Sequence, residues 1–279
     1  MSEIDVSILI VHTYEKKLLR QTLRSIRRAA PKISYEVVII DNNPAAGMEE
    51  LLNREFSDAV YIKNEKNIGF GGAMNVGIRG SRGRYVLIFN PDIVVHPGSL
   101  ETMVEYMDLY PDVGIVGPQL LNPDGSLQYS CYALPTLMQP VYRRTPLGKT
   151  ESGKRSIAEY LMMNVDHSEE MNVDSLIGAA LFTRRSTLEE VGLFDERFFM
   201  YYEDNDLCRR FWKNGHMVVY LPKAKMTHYH RRASADGGLF KQLTNRFTWI
   251  HMNSFVKYIK KYKGQENPRL KFEKEHGGV

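Results

Sequence analysis

Cysteine is nearly missing from this chain. Cys131 and Cys208 are the only two in 279 residues. They stand alone, form no metal-type pair, and read as free thiols in a reducing cytoplasm. No run of about 20 apolar residues occurs, so no transmembrane helix is encoded. The opening stretch MSEIDVSILIV has no basic leader and carries two acids, which does not suit a signal peptide. A strong charge of either sign is missing as well. The 37 basic residues are set against 33 acids, for a net charge of +4. That balance argues against the dense basic face of a nucleic-acid-binding module and favours anionic partners only weakly. Internal repeats and low-complexity tracts are also absent.

What remains is an ordinary globular composition, 43% hydrophobic and 25% charged, in a length that allows one large α/β domain or two small ones. The first half alternates strand and helix signals. Apolar runs at Val6–Val11, Tyr35–Ile40, Ala59–Lys63 and Tyr85–Phe89 predict strands. Helices are predicted over 16–29, 48–56, 72–79 and 100–109. This alternation implies a mostly parallel sheet with helices on both faces, and a ligand site beyond the carboxyl ends of the strands. His12, Thr13, Asp41 to Asn43 and Asn90 to Asp92 should therefore gather on one edge.

The second half is less regular. Gln139 to Asp174 suits a mobile loop with some helix, Leu176 to Phe182 a strand, 204–214 a helix, and Met217 to Leu221 a strand. An amphipathic helix is predicted from Leu239 to Tyr262, followed by a frayed polar tail from Gly264.

Several motifs invite chemistry. Gly69-Phe70-Gly71-Gly72-Ala73-Met74-Asn75 looks like a dinucleotide fingerprint, but it follows a later strand, and Asn75 comes directly after Met74. Gly148-Lys149-Thr150 resembles the end of a phosphate loop, with Arg143 where the first glycine belongs. In VLIFNPDIVV (86–95), Asn90-Pro91-Asp92 interrupts a buried strand. Asp92 there suits a hard divalent cation shared with phosphate oxygens, or a simple turn and cap. Glu203 and Asp204 follow the aromatic residues Phe198, Phe199, Tyr201 and Tyr202. They suit either general-base work or a helix N-terminus. His228 and His230, beside Arg231 and Arg232, suit an anion or metal site.

Six segments, in order, carry a resemblance: VSILIVHTYEKKLLRQTLRSI, YEVVIIDNNP, NEKNIGFGGAMNVGI, YVLIFNPDIVV, LIGAALFTRRSTLEEVGLFDERFFMYYEDNDLCRRFWKNG and THYHRRAS. Together they span most of the chain, from Val6 to Ser234. The chain resembles family-2 inverting glycosyltransferases of the GT-A fold, in the branch similar to bacterial rhamnosyltransferases. The resemblance implies a Rossmann-like, mostly parallel central sheet with a smaller mixed acceptor-side portion. It implies a glycosyltransferase domain over 1–235, divided into a nucleotide-sugar-binding half (1–125) and a catalytic-base half (126–235), with a C-terminal helix and tail over 236–279.

By the same resemblance, Val11 and Thr13 border the base of the donor nucleotide, and Asp41 bonds base or ribose. Asn67, Gly72 and Asn75 line nucleotide and sugar. Asp92 matches the last carboxylate of the family's Asp-x-Asp metal motif, with Asn90 in place of the first, a variant that points towards rhamnose. His228 completes the shell around Mg²⁺ or Mn²⁺. Asp204, in Glu203-Asp204, matches the catalytic base. His12 stands where such sequences have Thr, and Thr13-Tyr14-Glu15 replaces the usual Tyr-Asn pattern.

The implied reaction moves a sugar, expected to be L-rhamnose from dTDP-L-rhamnose, to a hydroxyl of a glycan or lipid-linked glycan with inversion, in cell-surface polysaccharide synthesis. A UDP-sugar donor and a non-catalytic nucleotide-sugar-binding protein are the alternatives. Expected partners are the donor, the acceptor, a membrane surface met by the basic C-terminal helix, and a second copy of the chain; nucleic acid is not among them. The expected location is cytoplasmic, at most peripheral on the inner face of the cell membrane.

Overall fold

The computed structural model describes residues 4–43, 45, 47–229 and 244–277. Strands Val6–His12 (β1), Tyr35–Asp41 (β2), Val60–Lys63 (β3) and Tyr85–Phe89 (β4) are joined by helices Lys16–Ala29 (α1), Glu49–Glu55 (α2) and Phe70–Arg79 (α3). The chain continues through Ile93–Val95 (β5), Ser99–Leu109 (α4), Val113–Leu121 (β6), Leu127–Gln128 (β7) and Cys131–Tyr132 (β8). Helices Gln139–Arg144 (α5) and Glu151–Tyr160 (α6) precede Met171–Asn172 (β9), Ser175–Leu176 (β10) and Ala180–Arg184 (β11). Arg185–Val191 (α7), Glu203–Lys213 (α8), Met217–His228 (β12), Arg246–Tyr262 (α9) and Pro268–His276 (α10) follow.

The main sheet runs β3-β2-β1-β4-β11-β6-β12-β5. Only β11 and β5 in that row oppose the common direction. Both faces are covered, which explains the uninterrupted apolar runs of β1 and β4. Within a strand, alternate residues enter different cores. Ile8, Ile10, Leu87 and Phe89 pack with Leu19, Leu23 and Ile26 of α1 and with Leu100 and Met103 of α4. Leu9, Val86 and Ile88 pack with Ala73, Met74 and Ile78 of α3 and with Leu207 and Phe211 of α8. Strands β11 and β12, from the second half of the sequence, lie inside the same sheet as β1 to β4.

The run VLIFNPDIVV divides in two. Its first part ends β4. After the break it forms β5, which pairs antiparallel with the end of β12 at the far side of the sheet. The turn is pinned from α1, whose Thr22 hydroxyl donates to the Pro91 carbonyl at 2.8 Å.

Three expectations are corrected. The segment 139–174 holds two α-helices joined by a 3₁₀ turn. Thr150 caps the second through its hydroxyl, a local signal that outweighs the mixed composition. The tail is ordered as α10: Asn267 caps it, Pro268 occupies its first turn, and Arg269 pairs with the buried Asp174 at 2.5 Å. Finally, β12 runs on to His228, well past Leu221. The helix expected from Leu239 begins at Arg246 among the described residues; Phe240 and Leu243 lie outside them, as do His230, Arg231 and Arg232.

Candidate active site

The carboxyl ends of the parallel strands carry the polar residues that the sequence places there. On the first-half side these groups are largely used up by one another. Asp41 is fully buried at the end of β2. Its carboxylate accepts from the Tyr61 hydroxyl at 2.7 Å and from the Asn43 amide at 3.1 Å, and His12 Nδ1 lies 3.4 Å away. Burial lowers the pKa of His12, so its ring is neutral. Thr13 accepts from the Asn43 side chain through its carbonyl at 2.8 Å, and Val11 is buried directly before His12.

Asn42 stitches β2 to the glycine-rich loop. Its amide donates to Asn67 Oδ1 at 3.0 Å and to the Gly69 carbonyl at 3.1 Å, and its oxygen accepts from Asn64 and the Ile68 amide. Asn67 Oδ1 in turn accepts from the Gly69 amide at 2.9 Å. Gly69 has φ of +84°, and a Cβ there would fall 2.3 Å from the Phe199 carbonyl oxygen, so only glycine fits. Gly72 is buried against Ile68. Asn75 points away from these loops. Its amide donates to the Phe194 carbonyl and to Glu196, both at 2.9 Å, while its oxygen accepts from the Phe194 amide at 2.9 Å. It clamps α3 to the 194–196 loop.

At the end of β12, His228 is 1% exposed. Its Nδ1 lies 2.6 Å from Gln128 Oε1, and the Gln128 amide nitrogen is directed at Asn122 Oδ1 and the His228 carbonyl. Gln128 therefore presents an acceptor, Nδ1 carries the proton, and Nε2 carries the lone pair. Nε2 faces Asp92 Oδ1 at 3.3 Å. That carboxylate oxygen is buried and has no hydrogen-bond partner among the described residues. A carboxylate oxygen and a ring nitrogen set this close are a pair that a proton or a metal ion would bridge. Donors bound at about 2.0–2.1 Å to a magnesium-sized ion sit ~3 Å apart, so the pair fits such an ion. The Gln128 contact is the outer support usual for a metal-binding histidine. Among the described residues no cluster of three or more His, Cys, Asp or Glu side chains can hold a metal.

Asp204 lies at the start of α8. Oδ2 accepts from the Gly178 amide at 2.8 Å, and Oδ1 accepts from the backbone and side-chain nitrogens of Asn205 at 2.8 and 3.0 Å. Burial raises its pKa above the ordinary carboxylate value, opposed by these bonds. Its neighbour Glu203 is 6% exposed, and Oε2 has no partner among the described residues. Burial and then the neighbouring Asp204 charge raise the pKa of Glu203 well above the ordinary carboxylate value. The two sides meet at Gly178-Ala179, between β10 and β11. The Asn90 amide donates to the Ala179 carbonyl at 2.9 Å, while Gly178 donates to Asp204. Asn90 and Asp204 thus bracket one short segment.

The approach to Asp204 is strained. Tyr201 and Tyr202 have φ of +71° and +68°, both in the left-handed region. Helix α9 holds them there. Tyr202 packs with Phe198, Phe255, Tyr258 and Tyr262, and the His251 ring contacts both tyrosines with centroids 5.1 Å away. Ser254 donates to the Met200 carbonyl at 2.8 Å and Lys257 to the Arg197 carbonyl at 2.7 Å. Buried Asp206 accepts from Tyr262 at 2.7 Å, from Arg210 at 2.9 Å, and from Lys261. The amphipathic face of this helix is therefore spent inside the protein.

Sequence reasoning missed Gly178 and Gln128, and placed Asn42 on the site edge without a role of its own. Gly178 sits inside a segment that reads as continuous strand, Gln128 has no motif, and Asn42 passes for a turn residue.

The comparisons agree with this fold. Similar solved structures include GalNAc-T7 with UDP, GalNAc and Mn²⁺, with a TM-score of 0.66 and 16% identity, over 99% of this chain and 55% of that one. The 1–349 portion of S. aureus TarS matches with a TM-score of 0.55 and 12% identity, over 92% of this chain and 72% of that one. These likenesses define a GT-A glycosyltransferase fold. The Glycosyl transferase family 2 model matches residues 7–188, and the chain belongs to that family. It lies in the rhamnosyltransferase-like branch. N-acetylglucosaminyl-diphospho-decaprenol L-rhamnosyltransferase of Mycobacterium tuberculosis is 29% identical over 81% of this chain and 76% of its own. Rhamnosyltransferase WbbL of Escherichia coli K12 is 26% identical over 91% of this chain and 92% of its own.

Proposed function

We propose that this glycosyltransferase moves L-rhamnose from dTDP-L-rhamnose to a hydroxyl of a glycan or lipid-linked glycan, with inversion, in cell-surface polysaccharide synthesis. The observation that carries the reading is the facing pair of Asp92 and His228, with Asn90, two residues before Asp92, tied to the Gly178-Ala179 segment that also bonds Asp204. Val11, Thr13, Asn67, Gly72 and Asn90 border the donor. Asp41 and Asn75 act from behind, holding the loops that border it. Asp92 and His228 would hold Mg²⁺ or Mn²⁺, which would neutralise charge on the diphosphate as it leaves.

Asp204 accepts the proton of the acceptor hydroxyl as that oxygen bonds to the anomeric carbon and the bond to the diphosphate breaks. One displacement inverts the centre. Burial raises the pKa of Asp204, which makes its carboxylate a stronger base than an exposed one. Glu203 beside it has its pKa raised further, so Asp204 is the more readily ionised of the two.

Donor choice is tested by a thermal-shift screen of nucleoside diphosphates and nucleotide sugars with Mn²⁺ or Mg²⁺, since a ligand of the folded state raises the melting temperature. dTDP with metal should give the largest shift; a larger shift with UDP would favour the UDP-sugar reading. Donor binding with no transfer to any glycan acceptor would favour a non-catalytic nucleotide-sugar-binding protein. Among the described residues no helix is long and apolar enough to cross a membrane. A lipid-linked acceptor would thus be met from the surface, on the cytoplasmic side. Helix α9 offers only Lys260 and Lys263 as outward lysines near its end, because Lys257 and Lys261 bond within the fold.

A further inference from the structure

Helix α1 carries six cations, Lys16, Lys17, Arg20, Arg24, Arg27 and Arg28, and no acid. Its buried face is fixed by Leu19, Leu23 and Ile26. The cations therefore lie on the outer arc. Four of them, Lys17, Arg20, Arg24 and Arg28, line a groove of about 590 Å³ closed by Val94 and Tyr229. No acid lines it. Arg20 and Arg24 share one carboxylate, Glu55, while Lys17 and Arg28 have no ion pair among the described residues. Among the described residues the groove thus keeps an excess of positive charge. It adjoins the candidate site, since Tyr229 follows His228 and its amide donates to the Asp92 carbonyl at 2.9 Å.

We propose that the outer face of α1 is a docking surface for an anionic lipid bilayer. From Lys17 to Arg28 the cations extend ~17 Å at the helical rise, an array matched by a sheet of phosphates rather than by one phosphate group. Tyr14 is 67% exposed at the start of α1, and Tyr229 is 37% exposed at the groove, which supplies amphipathic rings at the level of the headgroups. A bilayer bound here lies beside the site edge, where a membrane-borne acceptor would be presented. That last step rests on the proposed activity; the binding itself does not.

The test is flotation of the full chain with vesicles of phosphatidylcholine alone and of phosphatidylcholine and phosphatidylglycerol in equal parts. Binding should occur only to the anionic vesicles and fade with salt. A Lys17→Ala/Arg28→Ala variant should lose it by at least about tenfold, with its melting temperature and its transfer to a soluble acceptor unchanged. Lys260→Ala/Lys263→Ala, on α9, should bind as the unaltered protein does. Should the double α1 variant fail to fold, Arg28→Ala alone gives the same reading with a smaller loss. Equal flotation of the α1 variant, loss in the α9 variant instead, binding to neutral vesicles, or capture by polyphosphate or RNA with none by vesicles would each overturn the proposal. Failed flotation with transfer intact defeats only the docking surface; flotation without transfer defeats only the proposed activity.

Discussion

The two sides of the candidate site treat their polar groups in opposite ways. On the donor side, Asp41, Asn42 and Asn75 are almost fully bonded to other parts of the protein. On the reacting side, Asp92 Oδ1 and Glu203 Oε2 are buried with no hydrogen-bond partner among the described residues. A buried polar atom without a partner costs on the order of 1–3 kcal/mol. The bonded groups of the proposed donor side hold its loops in shape, whereas on the proposed reacting side Asp204 is held by three hydrogen bonds while Asp92 Oδ1 and Glu203 Oε2 remain open to a partner.

That contrast can be broken experimentally. Asp204→Asn should leave metal-dependent dTDP binding intact and reduce transfer by about 10²–10⁴-fold, the usual size of a general-base effect. Normal turnover in that variant would remove Asp204 from the mechanism. Asp92→Ala should abolish the extra melting-temperature shift that metal adds to dTDP. An unchanged metal effect would move the ion elsewhere.

Smaller effects sharpen the comparison. Phe255→Ala, which empties the cluster behind Tyr202, should cost about 3–5 kcal/mol in denaturant unfolding. Asn75→Ala should cost about 1–3 kcal/mol by stranding the Phe194 amide, and a loss of donor binding with no loss of stability would make it a ligand residue instead. The smallest effect concerns Glu203. A carboxyl whose pKa is raised on folding contributes stability that is full below its unfolded pKa and lost as pH rises through the folded value. Glu203→Gln should therefore match the unaltered protein near pH ~4 and exceed it at alkaline pH; parallel stability curves would contradict the raised pKa of the buried carboxyl.

Much of the fold could be read from the sequence because its signals are local. The runs at β1, β2 and β4 are apolar on both faces, and the turn residues after them mark the edge that bears the site. The rest depended on long-range partners. Nothing near Gly264 reveals that Asp174 awaits Arg269, and nothing in the basic, amphipathic pattern of α9 reveals that Lys261 faces Asp206. A basic amphipathic helix can serve a membrane or a core equally well. Here its apolar arc covers the strained Tyr201-Tyr202 turn. Among the site residues, Asp92, His228 and Asp204 stood out by chemistry and order, whereas Gln128 and Gly178 matter only through the atoms they touch.

The contact between Gly69 and Phe199 has a kinetic consequence. The Phe70 amide donates to the Phe199 carbonyl at 2.8 Å and there is no room for even a methyl group between the two segments, so the glycine loop is held directly against the stretch leading to Asp204. A nucleotide that shifted the first would, on the proposed function, also shift the second. Substrates would then bind in a compulsory sequence, with the donor setting the geometry that the acceptor meets. Product inhibition by dTDP, competitive against donor and not against acceptor, would be the signature of that order.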